Sequence, residues 1–370
     1  MFIQLTHSQQ LLIALLKLAL WNTVPDKALF ENTNDTVWKE VFQLSAGQGV
    51  KAIAYDGVMR LPLEFQPSYA IKFEWAVHVE IIERRYEKEW TVANEIAEIY
   101  ANNNIKMLLF KGFGLAQYYP APNHREFGDI DIYLFGKKEE GDRLLFEAGA
   151  GKKKRQCDRH SALIYKGVLI ENHDYFLPEN DFYNVAIIEK RLSDALANDR
   201  LLNNSLITKA ISPSPDFNIL QMVSHSFEHF FGRSILLRYL CDWALFLEAN
   251  KGAIDFAAFR RLISEAGFIK FADALTALSI RYLDLNPKFA PPVENNAAIE
   301  DKIMQDMFKS LSSPEIEKQT WLKRVRFKLK TLNSIKWKYN EIFNSKQFYK
   351  VIRHSIFLHI SHSMSILKMF

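Results

Sequence analysis

Between Gly128 and Leu134 the chain alternates two kinds of side chain: Asp129, Asp131 and Tyr133 interleave with Ile130, Ile132 and Leu134. Successive side chains of a strand point to opposite faces. The run therefore predicts a strand over 129–135 with a hydrocarbon face to bury and another face carrying two neighbouring carboxylates. Much of the surrounding sequence has a different period. Ile82, Tyr86, Trp90, Ala93, Ala97 and Tyr100 recur every three or four residues, as one apolar stripe along a helix does.

Residues 1 to about 100 are expected to be helical. Residues 11–21 are mostly apolar, but Lys17 interrupts them, no basic residue precedes them and no small-residue cleavage site follows. The run is also too short to span a bilayer, so it is expected to be an amphipathic helix after a Thr6 or Ser8 cap. Ala101-Asn102-Asn103-Asn104 breaks the helical pattern. A mixed segment follows: strand 105–110, helix about 113–119, a loop, strand 129–135, helix about 138–148, then strands 162–165 and 168–175. The last two meet across Lys166-Gly167, where glycine supplies the positive φ of a tight hairpin. From about 181 the pattern is helical again. Ser212-Pro213-Ser214-Pro215-Asp216 punctuates it, with Asp216 the expected cap, and Asn286-Pro287 and Pro291-Pro292 mark a second break. The expected fold class is α+β: a small mixed β-sheet core flanked by N-terminal and C-terminal helical regions. The expected divisions are 1–100, 101–180, 181–322 and a basic amphipathic tail over 323–370.

Two cysteines in 370 residues, Cys157 and Cys241, lack metal-ligand spacing and exclude a disulfide framework. A reducing compartment fits, and a cytoplasmic location is expected. The net charge of +4 is unevenly spread. From Lys323 onward eleven Lys and Arg stand against one acid, Glu341, so the tail is strongly basic and the remainder mildly acidic. Such a tail invites an anionic partner: a membrane surface, to which the chain would be peripheral, or nucleic acid. Packing on its own protein is the alternative.

Asp129 and Asp131, side by side, repel and raise each other's pKa. A divalent cation resolves that repulsion, and hard oxygen ligands suit magnesium; the bland alternative is an edge strand with solvated acids. Upstream, Leu109-Phe110-Lys111-Gly112-Phe113-Gly114-Leu115 runs from a strand end through glycines into a helix start. That geometry presents N–H groups and a helix N-terminus to an anion, and Lys111 adds a charge. Downstream, Glu171 and His173 share one strand face, with Glu171 placed to complete a carboxylate trio.

These motifs resemble a known family. Lys111-Gly112-x-Gly114-Leu115-Ala116 through Tyr119-Pro120, then Arg125-x-x-Gly128-Asp129-Ile130-Asp131, is similar to the signature of the uncharacterised bacterial nucleotidyltransferases of the polymerase-β-like superfamily. Val168 to His173 resembles that family's later strand, and residues 220–229 with 237–242 resemble its paired histidines and its Arg–Asp helix. The resemblance covers roughly residues 30–250. It implies that 101–180 is the nucleotidyltransferase core, moving a nucleotidyl group from a nucleoside triphosphate to a hydroxyl of a sugar, protein or RNA by a two-metal mechanism. It implies that Asp129, Asp131 and Glu171 are catalytic and hold two Mg2+ ions, with Mn2+ as the substitute. The nucleotide-binding set it implies is Lys111, Gly112, Gly114, Arg125, Gly128, His173, His225, His229, Arg238 and Asp242. One departure bears on activity: many superfamily members have Gly-Ser in the phosphate turn, where this chain has Gly112-Phe113. A catalytically inactive nucleotide-binding protein of the same fold is therefore the rival reading.

His225-Ser226-Phe227-Glu228-His229 also spells a zinc-hydrolase motif. A helical wheel puts both histidines nearly opposite Leu220, Val223, Phe227 and Phe231, facing a cleft or solvent. Arg238 and Asp242 lie at i and i+4, spaced for an internal salt bridge, unless Arg238 reaches a phosphate instead.

Overall fold

The computed structural model describes residues 4–152, 160–177, 184–197, 205–232, 234–309 and 336–342. Cys157 and most of the expected tail lie outside these residues.

The first helix, α1 (His7–Trp21), starts at Thr6, whose side chain and that of Gln9 cap each other's backbone reciprocally. It is followed by α2 (Lys27–Phe30), α3 (Asp35–Gly47), α4 (Lys51–Met59) and the long α5 (Tyr69–Asn102). α5 departs from the expected stripe in one place. Trp90 is exposed and Glu89 is buried instead, its carboxylate bonded to Arg85 Nε at 2.8 Å. The buried positions drift to Val92, Ala93, Ile96, Ala97 and Tyr100, because the face is set by the sheet beneath rather than by the most apolar side chain.

The sheet comprises β1 (Met107–Phe110), β2 (Ile130–Tyr133), β3 (Gly151–Lys152), β4 (His160–Tyr165), β5 (Val168–His173) and β6 (Ala210–Ile211), in the order β3-β4-β5-β2-β1-β6. Short helices α6 (Gly112–Ala116) and α7 (Lys138–Glu147) lie between its strands in sequence. β2 runs antiparallel to β1 and parallel to β5, so the sheet is mixed and the fold α+β, as expected. The β4–β5 hairpin turns at Lys166 and Gly167, both at positive φ, which matches strand twist in a two-residue loop.

The alternation read from sequence divides the sheet cleanly. Leu109, Ile130, Ile132, Leu163 and Ile170 pack with Val92, Ile96, Tyr100 of α5 and Leu145 of α7 in one core. Leu108 and Phe110 belong to a second core, which joins the N-terminal helices to those after the sheet. The latter are α8 (Val185–Ala197), α9 (Pro215–Gly232), α10 (Leu237–Ala249), α11 (Phe256–Ala266), α12 (Ile269–Leu283) and α13 (Ala297–Lys309). The acid face of the sheet thus looks toward the helical side.

Two local expectations change. α9 begins at Pro215, and Ser214 is its cap, its hydroxyl accepting from the Phe217 N–H at 3.3 Å. Pro at the first helical position costs no hydrogen bond, so the start falls one residue before Asp216. In the tail, residues 336–342 are helical and packed. Lys338 is fully buried, 2.6 Å from Asp306, and donates to the Phe230 carbonyl. Trp337 and Tyr339 pack edge-to-face against Phe230 and Phe231 respectively. This part of the tail is core, and its Lys338 charge is spent internally.

Gly57 fixes the closest helix crossing. A Cβ there would lie 2.2 Å from the Leu15 carbonyl oxygen, a backbone atom that α1 cannot move aside. Gly57→Ala is therefore expected to destabilise the fold by about 1–3 kcal/mol through overpacking, read as a lower urea midpoint with an unchanged slope.

Candidate active site

β1 delivers the chain to the site through Lys111, whose backbone sits at φ 52° and ψ −118°, a conformation that favours glycine. A non-glycine residue held there is strained, and such strain concentrates at functional positions. The turn aims the Lys111 ammonium at Asp131 Oδ1, 2.7 Å away. Phe113, which follows Gly112 in the turn, is buried edge-on against Tyr86 and Phe127. It pins α6 to α5, so the residue following Gly112 serves packing. Gly112 and Gly114 are buried within the turn, with the Phe127 ring 3.0 Å from where a Gly112 Cβ would stand.

The three acids converge. The register places Asp131 directly beside Glu171 on the parallel pair β2–β5, with Asp129 one residue before β2. His173 Nε2 lies 2.8 Å from Asp131 Oδ1 and 3.8 Å from Glu171 Oε2. Burial would raise Asp131, but the Lys111 ammonium and the His173 hydrogen bond hold it well below the usual carboxylate range. Burial also acts on Glu171, and there the hydrogen bond from His160 prevails and lowers it. Burial first, then the charges of Asp131 and Glu171, push Asp129 up to about 7, outweighing the opposing charges of Lys111 and Arg238. Burial and the nearby Lys111 lower His173.

The loop leading into β2 is bolted down on two sides. His124 is buried between Asp56 and Glu83, 2.8 and 2.9 Å away. Burial opposes its charge, yet those two acids raise its pKa. Arg125 is buried as well. Its Nε and Nη2 grip Asp242 of α10 at 2.7 and 2.8 Å, and its Nη1 donates to the Gly112 carbonyl at 3.2 Å. Tyr119 donates to the same Asp242 oxygen.

This corrects the expected Arg238–Asp242 bridge. Asp242 takes Arg125, because a residue on the sheet side reaches it in bidentate geometry that an i, i+4 neighbour cannot match. Arg238 instead donates to the Glu126 carbonyl, and its Nε is buried without a hydrogen-bond partner. Lys111, Arg125, His225, Arg238, Tyr239 and Asp242 line one cavity beside the carboxylates. Burial and the Lys111 charge hold the His225 pKa well below its ordinary value. His229 is exposed, its ring 4.6 Å from that of His225. Gly128 is exposed next to the Arg85 side chain.

The zinc reading of His225, Glu228 and His229 loses its support. Among the described residues no third ligand converges on these histidines. The one group that does converge is His160, Glu171 and His173, whose ligand atoms lie within 4.8 Å of one another. His160 was not anticipated. It opens β4 two residues before the strand expected from sequence, and it pairs laterally with His173. Its signal was the alternation His160, Ala162, Ile164, which puts it on the acid face once the strand is extended back. Gln221 and Tyr239, polar tips on otherwise apolar helices, were also missed, as was Tyr119 in the turn after α6.

Residues 34–284 match a family described as uncharacterised nucleotidyltransferase, and the chain belongs to that family. No curated protein and no solved structure matches it. Among the described residues no helix is long and apolar enough to cross a membrane.

Asp129 generates a prediction with a definite sign. Folded, it keeps its proton up to about pH 7; unfolded, an aspartate ionises near pH 4. Between these values the folded state binds more protons, so the stability this group contributes falls as pH rises through that window. Asparagine carries no charge at any pH. Asp129→Asn is expected to melt above the wild type at pH 8 in metal-free buffer, with the gap closing toward pH 5, as followed by scanning fluorimetry.

Proposed function

We propose that the chain is a divalent-metal-dependent enzyme that transfers a nucleotidyl group from a nucleoside triphosphate to a hydroxyl acceptor. One observation carries this reading: three carboxylates meet at the adjacent parallel strands β2 and β5, and Asp129, whose repulsion and burial outweigh the charges of Lys111 and Arg238, is driven up to about 7. An all-oxygen donor set of excess negative charge fits magnesium, and manganese equally. Asp129 and Asp131 would hold both ions and Glu171 would share one. Bound there, the cations supply neutralisation of the triphosphate and of the charge developing on the attacking and leaving oxygens.

The remaining roles fall to the chain itself. Lys111 and the Gly112–Gly114 turn would receive the triphosphate, with Arg238 and His225 on the facing cavity wall and His173 orienting Asp131. The Arg125–Asp242 pair would keep that turn and wall at a fixed separation, and Gly128 and His229 stand at the rim. The acceptor oxygen forms a bond to the α-phosphorus while the bond from that phosphorus to the β-phosphate bridge breaks. Pyrophosphate leaves, and the acceptor proton passes to Glu171. Sugar, protein and RNA hydroxyls all fit this chemistry. A bacterial, cytoplasmic setting and the four-part division of the chain belong to the same reading. The basic residues before 331 and after 342 remain the proposed contact for an anionic membrane or nucleic acid.

A second reading, nucleotide binding without turnover, is favoured by Phe113, which puts a packed ring where a serine hydroxyl would meet a phosphate. The test is pyrophosphate release from ATP, CTP, GTP and UTP with Mg2+ and a mixture of sugar, protein and RNA acceptors. Wild type should turn over at least one nucleotide, and Asp129→Asn with Asp131→Asn should fall to background while still binding it. Binding without release by the wild type would favour the second reading. Full release by the double variant would end the first.

A further inference from the structure

Both ring nitrogens of His173 face oxygen atoms. Nδ1 lies 3.2 Å from the Tyr175 carbonyl oxygen, which only accepts, so Nδ1 carries the proton. Nε2 is aimed at Asp131 Oδ1 and Glu171 Oε2 at 2.8 and 3.8 Å. Ionised carboxylates also only accept. A ring nitrogen and two carboxylate oxygens thus meet in a buried place, and a proton or a metal ion satisfies all three. A metal-bound histidine is oriented in this same manner, its far N–H given to a backbone carbonyl.

His160 repeats the pattern from the neighbouring strand. Its Nε2 is 3.3 Å from Glu171 Oε1, its ring centre is 4.9 Å from that of His173, and its buried Nδ1 has no hydrogen-bond partner. Ligand atoms around an ion at about 2.1 Å stand roughly 3.0–3.4 Å apart. Glu171 stands 3.3 Å from His160 and 3.8 Å from His173, and all three ligand atoms lie within 4.8 Å, so an ion draws the two rings inward. Two imidazoles and a carboxylate form a donor set unlike the oxygen pair at Asp129 and Asp131. Magnesium demands oxygen and gives up its water reluctantly, whereas imidazole suits first-row transition ions.

We infer that His160, Glu171 and His173 form a nitrogen-rich site that selects a first-row transition-metal ion such as Mn2+, Fe2+, Co2+ or Zn2+ over Mg2+. The site stands on its own geometry and depends on the proposed transfer only for the ion's part in catalysis. There it concerns the ion that Glu171 shares with Asp129 and Asp131, the other ion remaining a hard cation.

The probe is Co2+ titrated into the full chain without nucleotide, followed by visible absorption and by paramagnetically shifted imidazole N–H resonances. Two such resonances are expected, from His160 and His173, and Mg2+ should not displace the ion even at a hundredfold excess. His160→Gln should remove one resonance and weaken Co2+ on the order of ten- to a hundredfold, with Mg2+ affinity unchanged. Displacement by Mg2+ at equal concentration, or an unaltered titration in His160→Gln, overturns the inference. Should that variant fail to fold, the wild type decides alone: absence of shifted imidazole N–H resonances overturns the site. Nucleotide turnover with Mg2+ and no Co2+ binding sinks the site while sparing the transfer; the two resonances without turnover of any nucleotide do the reverse.

Discussion

Three carboxylates forced together on one sheet face are the constraint around which this molecule is arranged. β2 and β5 run parallel in a register that sets Asp131 against Glu171, and no side-chain rotation separates them far. Their repulsion must be met by positive charge or by hydrogen bonds, and the chain supplies these from several directions. Lys111 comes from the β1 end through a strained turn, while His173 and His160 come from β5 and β4. Asp129 is left over, and its proton is the residue of that balance. An arrangement that concentrates acids and leaves one only partly compensated is costly for stability alone, which is why it points to a ligand of positive charge.

The helical shell holds this arrangement rather than merely surrounding it. The Arg125–Asp242 bridge spans the sheet and α10, and it is buried on both sides. Removing either partner of such a pair would strand the other charge in the interior, so the bridge specifies geometry more than it adds stability. His124 does the same toward the N-terminal helices through Asp56 and Glu83. The Gly112 turn, caught by Arg125 at its carbonyl and by Phe113 in an aromatic cluster, faces the cavity in one orientation.

What was legible in the sequence follows from the range of each interaction. The Asp-x-Asp strand, the Lys166-Gly167 hairpin and the α1 cap announce themselves within a few residues, because alternation, turn geometry and capping are local. Asp129, Asp131 and Glu171 could be placed on one face from period alone. Their neighbours could not. Arg125 and Asp242 are 117 residues apart, and nothing local says that Asp242 prefers Arg125 to Arg238. His160 was hidden because the residues before it, Cys157-Asp158-Arg159, have no strand pattern. Trp90 and Glu89 exchanged places because tertiary packing, not hydrophobicity, chose the buried face of α5. In the tail, a run of positive charge suggested an external partner, yet Lys338 found an internal one in Asp306.

The account rests on cations and a triphosphate meeting at the carboxylates. A crystal structure of the full chain with Mn2+ and a non-hydrolysable nucleoside triphosphate analogue tests that directly. Anomalous density is expected at coordination distance, about 2.0–2.6 Å, from oxygens of Asp129 and Asp131, with the phosphates reaching the Lys111–Gly114 turn. Triphosphate bound elsewhere, or an ion-free site with Lys111 still closed on Asp131 at saturating ligand, would contradict it.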